Sequence, residues 1–154
     1  MVELLVGMIA SGKSTYAKNR ANAGAIIIND DAIVTALHGG DYNKYSKSLK
    51  PLYKAVENQI LQTAVTMSLD VVVDRPNYSR AMRRRYISIA KSIDAKVSLV
   101  VFNKCEPEEH AMRRFASDSR GRPYEEWLEA AMHHDALYEE PSLDEGVDEI
   151  ICLK

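Results

Sequence analysis

Short, wholly apolar runs alternate along this chain with longer stretches in which apolar positions recur every three or four residues. Residues 2–6 are apolar except for Glu3 and stop at Gly7, the pattern of a strand buried on both faces. Ala25-Ile26-Ile27-Ile28, Asp70-Val71-Val72-Val73-Asp74, residues 97–102 and Ile150-Ile151-Cys152-Leu153 read the same way. Between them the spacing predicts a helix from Lys13 to about Asn22. A short one follows over residues 32–37, behind the capping-type residues Asn29-Asp30-Asp31. Pro51 suits a first helical turn, and Leu52, Val56, Ile60 and Ala64 then recur at helical spacing to about Met67. A further helix covers residues 79–93, with Met82, Tyr86, Ile89, Ala90 and Ile93 on one side and arginines on the other. Residues 107–116 and 124–138 are also helical, separated by a polar break over 117–122, and residues 39–48 form a polar loop. Strands alternating with helices predict a three-layer α/β fold with a five-stranded, mostly parallel sheet. The pattern shows no repeat and no linker, so one domain is expected over residues 1–154.

Composition adds limits. A chain of 154 residues is long enough to bury about two-thirds of the surface that it exposes unfolded. The net charge of −2 gives the whole molecule no footprint for nucleic acid. The charge is uneven, however: Arg80, Arg83, Arg84, Arg85, Lys91, Arg113, Arg114, Arg120 and Arg122 lie in the middle-to-late chain, and residues 139–149 are acidic. A local basic face can still meet phosphates. Cys105 and Cys152 form no CxxC or metal-type spacing and are expected as reduced thiols near a core, which points to a cytoplasmic setting. No signal peptide is expected, and no apolar run approaches the ~18 residues of a membrane span.

The strongest chemistry lies at the first strand-to-helix turn. Gly7-Met8-Ile9-Ala10-Ser11-Gly12-Lys13-Ser14 matches G-x-x-x-x-G-K-[ST] without a departure. Glycines there let the backbone wrap phosphate oxygens, and the helix offers the positive end of its dipole. Gly7, Ala10, Ser11, Gly12, Lys13, Ser14 and Thr15 are thus the candidate ATP-binding residues. Lys13 is expected to reach the β- and γ-phosphates, and the Ser14 hydroxyl to ligate Mg²⁺. Asp74, ending the third strand, is the candidate second metal residue, or else a turn cap.

The motif alone fits a GTPase, an ATPase or a kinase. Asn103-Lys104-Cys105-Glu106 begins like a guanine-reading segment but carries Glu where Asp is required, and no D-x-x-G switch follows the third strand. Arg75 stands where a motor ATPase places a water-polarising Glu. Two clusters point instead to transfer onto a hydroxyl. Asp31 follows the second strand, where a carboxylate can accept the acceptor's proton; capping is its other role, and Asp30 can share either. Arg113, Arg114, Arg120 and Arg122 straddle Gly121 at the polar break, as a phosphate-clamping lid over about 107–123 or as a solvated basic face.

These residues resemble the 5′-hydroxyl polynucleotide kinases of bacteriophages and bacterial RNA repair, within the wider P-loop kinase group. The likeness runs through residues 7–15, Ile28-Asn29-Asp30-Asp31, Val73-Asp74-Arg75-Pro76-Asn77 with its Arg-rich helix, Arg114 through Arg120-Gly121, and the ending around Tyr138-Glu139-Glu140-Pro141. It implies Asp31 as general base, Arg114 and Arg120 as catalytic lid arginines with Lys13, and ATP with Mg²⁺ as cofactors. Arg122 is an alternative to Arg120 because the loop length differs. The family's substrate-reading Arg after the base is Val34 here. Nucleic-acid contact is therefore expected from Arg75, Asn77, Arg80 or Lys44, with Lys47 beside it. The acceptor implied is a polynucleotide 5′-hydroxyl, in a bacterial cell or phage-infected host. A hydroxymethylated base, a nucleoside or another small molecule is the alternative, and a nucleotide-binding regulatory module without transfer is the third.

Other features weigh less. His133-His134-Asp135 lies in a helix where neighbours point apart, so a metal site is not expected. Trp127 with Tyr124 and Leu128 suits packing. Tyr42 and Tyr45, interleaved with Lys44 and Lys47, suit either base stacking or an ordinary polar loop. The Arg83-Arg84-Arg85 run suits a solvated helix face.

Overall fold

The computed structural model describes residues 1–154. β1 (Val2–Val6), β2 (Ile26–Ile28), β3 (Val71–Val73), β4 (Val97–Val101) and β5 (Glu149–Cys152) form one sheet in the order β2-β3-β1-β4-β5. Every neighbouring pair is parallel, and the register runs straight across the centre, with Leu4 opposite Val73 on one side and Leu99 on the other. Parallel strands need crossovers. These are supplied by α1 (Lys13–Asn22), α2 (Asp30–Leu37), α3 (Lys50–Thr66), α4 (Arg80–Ser92), α5 (Pro107–Ser117) and α6 (Tyr124–Ala136).

The alternation within each strand divides the core. Leu4, Val73 and Leu99 face Leu61 of α3 with Tyr86 and Ala90 of α4, whereas Leu5, Val72 and Val100 face Ala17 of α1 and Phe102. Each fully buried Leu or Val contributes about 1.5–3 kcal/mol. The result is the three-layer α/β architecture that the alternating pattern predicts. The strand order reverses between β1 and β3. A crevice therefore opens beyond their carboxyl ends, where open α/β sheets bind ligands.

Four local expectations are corrected. α3 buries Ala64 as expected, but with Tyr53, Glu57 and Leu61, each one position on from Leu52, Val56 and Ile60, and Leu52 is exposed. Tyr53 and Glu57 outcompete Leu52 and Val56 for the inner face because their polar ends find partners there. α4 does not present all its arginines to solvent. Arg83 is fully buried, its guanidinium donating to both Glu145 oxygens at 2.8 Å and to the Asn77 carbonyl at 3.0 Å. The acidic tail supplies such partners repeatedly. Asp144 pairs with Arg80 at 2.8 Å, and Asp148 pairs with Lys91 at 2.5 Å while accepting from the Val97 amide. The basic helix thus binds the chain's own tail. Cys105 is half-buried and Cys152 exposed, so the latter is not packed into a core. The loop before α3 is not structureless: Tyr42–Lys44 and Lys47–Leu49 form 3₁₀ turns. No helix is long and apolar enough to cross a membrane.

Candidate active site

The turn after β1 has the shape its glycines dictate. A Cβ on Gly7 would meet the Ser11 Oγ at 2.7 Å and the Phe102 Cβ at 3.0 Å, so only glycine lets the turn close. Gly12 caps α1 at φ 98°, a left-handed conformation, and offers no side-chain cap. The first amides of α1 are thus left for an anion. Lys13 curls back over the turn: its Nζ donates to the carbonyls of Gly7 at 3.0 Å and Met8 at 2.5 Å, and to the Ser11 Oγ at 3.3 Å. Burial pushes its pKa down to about 8, against the pull of the Asp74 carboxylate.

Ile9, Ala10, Ser11, Gly12, Lys13, Ser14 and Thr15 form one wall of a cleft of about 480 Å³. Asn29, Asp30, Asp31, Asp74, Arg75 and Pro76 form the opposite side, and Arg113, Arg114 and Ser117 of α5 reach it from above. Expected phosphate, metal and base residues from four separate stretches of sequence therefore meet in one place.

Two ties across the ends of β2 and β3 fix the floor. Asn29 caps α2, its Oδ1 accepting from the Ala32 amide at 2.9 Å, and its Nδ2 donates to Asp74 Oδ2 at 3.1 Å. Sequence reading gave Asn29 only the capping role. Beside it, Arg75 Nη2 lies 3.1 Å from Asp30 Oδ2. Arg75 Nη1 donates to both oxygens of the buried Glu57 and to the Tyr86 hydroxyl. Tyr86 in turn donates to Glu57 at 2.8 Å, and Arg85 adds a second cation to the same carboxylate. Burial raises the Asp30 pKa, opposed by Arg75. Asp30 is thus occupied, while Asp31 is half-exposed at the cleft and meets Arg120 Nη2 at 3.2 Å.

α5 and α6 form a hairpin whose connection is organised by Asp118, which accepts from the amides of Arg120 and Arg122 at 3.1 and 2.9 Å. Trp127 is buried against Met8, Ala111 and Ala131, the packing role expected of it. The guanidinium groups of Arg114 and Arg122 lie 4.7 and 5.4 Å from its ring centre. The arginines thus divide: Arg114 lines the cleft, Arg120 reaches Asp31, and Arg122 rests on Trp127.

The residues expected to touch substrate are distributed otherwise. Arg75 lines the cleft, but its guanidinium is already held by two carboxylates. Asn77 is completely buried at φ 45°, donating to the Leu5 carbonyl at 2.8 Å, and cannot reach a ligand in the cleft. Arg80 lines a separate hollow with Arg84, Ile87, Asp144 and Glu145. Lys44 is exposed and lines neither the cleft nor its neighbours. Closeness in sequence to the site says nothing of the carboxylate or carbonyl that takes up each of these cations or amides in the fold.

No group of three or more His, Cys, Asp or Glu is placed to hold a metal ion. Ser14 and Asp74 are instead two hard oxygen donors at one cleft, the sparse protein set that Mg²⁺ completes with phosphate oxygens and water. The donor chemistry fits that ion.

A family model described as AAA domain matches residues 2–134. No curated protein sequence matches the chain. Among solved structures, a gluconokinase from Sinorhizobium meliloti 1021 superposes with a TM-score of 0.60 at 18% identity, over 99% of this chain and 81% of that one. A putative kinase from Chloroflexus aurantiacus gives 0.69 at 11% identity, over 99% and 83%. A chain of the Pnkp1/Rnl/Hen1 complex gives 0.63 at 20% identity, over 79% of this chain but only 42% of its own length. These likenesses establish the fold, a three-layer α/β domain around a five-stranded parallel sheet that the chain shares with these structures.

Proposed function

The chain belongs to the AAA domain family, and on that premise we propose that it is an ATP-dependent kinase acting on a hydroxyl of nucleic acid, a polynucleotide 5′-hydroxyl. The observation that carries the reading is the meeting of the phosphate-binding turn, Asp74, Asp31 and Arg114 in one cleft. Arg75 separates it from nucleotide hydrolysis. Where a hydrolase positions a carboxylate to polarise water, this chain has a cation locked by Asp30 and Glu57.

In this mechanism the amides of residues 10–15 and the Lys13 ammonium hold the triphosphate. Ser14 and Asp74 would hold Mg²⁺, which when bound neutralises phosphate charge. Asn29 fixes the Asp74 carboxylate. The Asp31 carboxylate accepts the proton of the attacking hydroxyl as that oxygen moves in line onto the γ-phosphorus and the bond to the β–γ bridging oxygen breaks, ADP leaving with that electron pair. Arg114 from the ATP side and Arg120 from the acceptor side neutralise charge on the transferred group, the α5–α6 hairpin acting as a lid. Arg122 supports that lid through Trp127.

The test is transfer from γ-labelled ATP to a panel of 5′-hydroxyl DNA, 5′-hydroxyl RNA, hydroxymethylated-base DNA and free nucleosides. Label at an oligonucleotide 5′ end supports the reading. Label in nucleosides alone makes the protein a small-molecule kinase, and bound nucleotide with no transfer makes it a regulatory module.

A further inference from the structure

A second hollow of about 160 Å³ opens off the cleft and shares Asp30, Asp31 and Arg75 with it. Its volume is that of about five waters, room for one planar ring system. Its wall is aromatic. The Tyr42 and Tyr45 rings stack at 6.1 Å with an interplanar angle of 14°, and Tyr45 and Tyr53 at 5.7 Å and 26°. The row is anchored at its inner end: the Tyr53 hydroxyl accepts from the Ser46 amide at 3.2 Å and shares a 2.7 Å hydrogen bond with His38 Nε2. At its outer end the Arg120 guanidinium lies 4.8 Å from the centre of the Tyr42 ring while pairing with Asp31. Lys50 and Lys54 line the same hollow from α3.

We infer that this tyrosine row is the acceptor-base site, stacking the terminal base of a single-stranded polynucleotide so that its hydroxyl points at Asp31, with Lys50 and Lys54 facing the adjoining backbone phosphate. The inference rests on the kinase reading for the role of Asp31. Aromatic faces beside cations are how single strands are bound without sequence preference, because every base has a π-face. The position supplies the specificity: Asp31 lines both the hollow and the cleft, beside the Tyr42–Arg120 end of the row, so a nucleobase seated there puts its own sugar at the cleft. Tyr42, the end of the row that carries Arg120, links an occupied acceptor site to the α5–α6 hairpin.

The test needs no turnover. Binding of a fluorescent 5′-hydroxyl oligonucleotide is compared by anisotropy with the same strand carrying an abasic residue at its 5′ end. The wild-type protein is expected to bind the base-bearing end about 10-fold more tightly, a ratio that Tyr45→Ala abolishes and Tyr45→Phe keeps. Where label transfer is measured, Tyr45→Ala is expected to raise KM for the oligonucleotide about 10-fold with a much smaller change in kcat. Equal affinity for the two strands, or a Tyr45→Ala protein that still discriminates, overturns the inference even if transfer occurs. Discrimination between the strands without any transfer supports the base site and counts against the kinase reading alone.

Discussion

Arg120, at the connection between two helices late in the chain, places its guanidinium 3.2 Å from the carboxylate of Asp31, 89 residues earlier. Both side chains are substantially exposed, so the pair contributes little to stability. In the proposed mechanism its consequence is kinetic. Asp31→Ala is expected to leave ATP binding intact and lower kcat by about 10²-fold or more, because the attacking hydroxyl loses its proton acceptor. Steady-state transfer together with nucleotide titration checks this, and unchanged turnover would remove Asp31 from the role.

Asn29 does two jobs with one amide. Asn29→Ala removes the α2 cap and is expected to cost about 1 kcal/mol in denaturant unfolding. It also frees the Asp74 carboxylate, so the magnesium concentration at half-maximal activity should rise. Asn29→Asp keeps the cap but cannot donate to Asp74, so the cap's contribution to stability should return while the magnesium requirement stays raised.

The sequence made the fold legible because each strand is a short apolar run and several helices carry their own start signal, such as Asn29, Pro51 and Pro107. The phosphate turn was legible for a different reason: its spacing is imposed by the ligand. What was not legible is where cations end up. Arg83, Arg75 and Arg80 look alike in sequence. Yet Arg83 is sealed inside by Glu145, Arg75 bridges Asp30 and Glu57, and Arg80 takes Asp144 at the surface. Each partner lies 18 to 64 residues away or across a strand end, beyond what periodicity reports. Asn77 follows the same rule, since a positive-φ turn tucks its amide under β1.

The buried arginine gives a stability test. Glu145→Ala strands the Arg83 guanidinium without its carboxylate at a fully buried position and should destabilise by about 3–5 kcal/mol. Asp144→Ala, one residue away on an exposed pair, should leave the unfolding midpoint nearly unchanged. Thermal unfolding of the two variants side by side reads the difference.

His134 packs against the Tyr78 ring with centroids 4.6 Å apart, and burial, then Lys13 and His133, push its pKa down to about 4. The unfolded chain binds that proton near 6.5, so the unfolded state takes up more protons between the two values. Stability should therefore be full above about pH 6.5 and fall as pH drops toward 4. His110, also shifted down chiefly by burial, adds in the same direction. His134→Gln should flatten this limb of the pH–Tm curve, and an unchanged limb would assign it elsewhere.

The central claim is that the turn from Gly7 to Ser14 grips a nucleotide's phosphates, and calorimetric titration with ATP at millimolar magnesium tests it most directly. One molecule of ATP should bind per chain, with the heat abolished or sharply weakened by Lys13→Ala. Absence of heat from the wild-type protein, or equal binding by Lys13→Ala, would contradict the account.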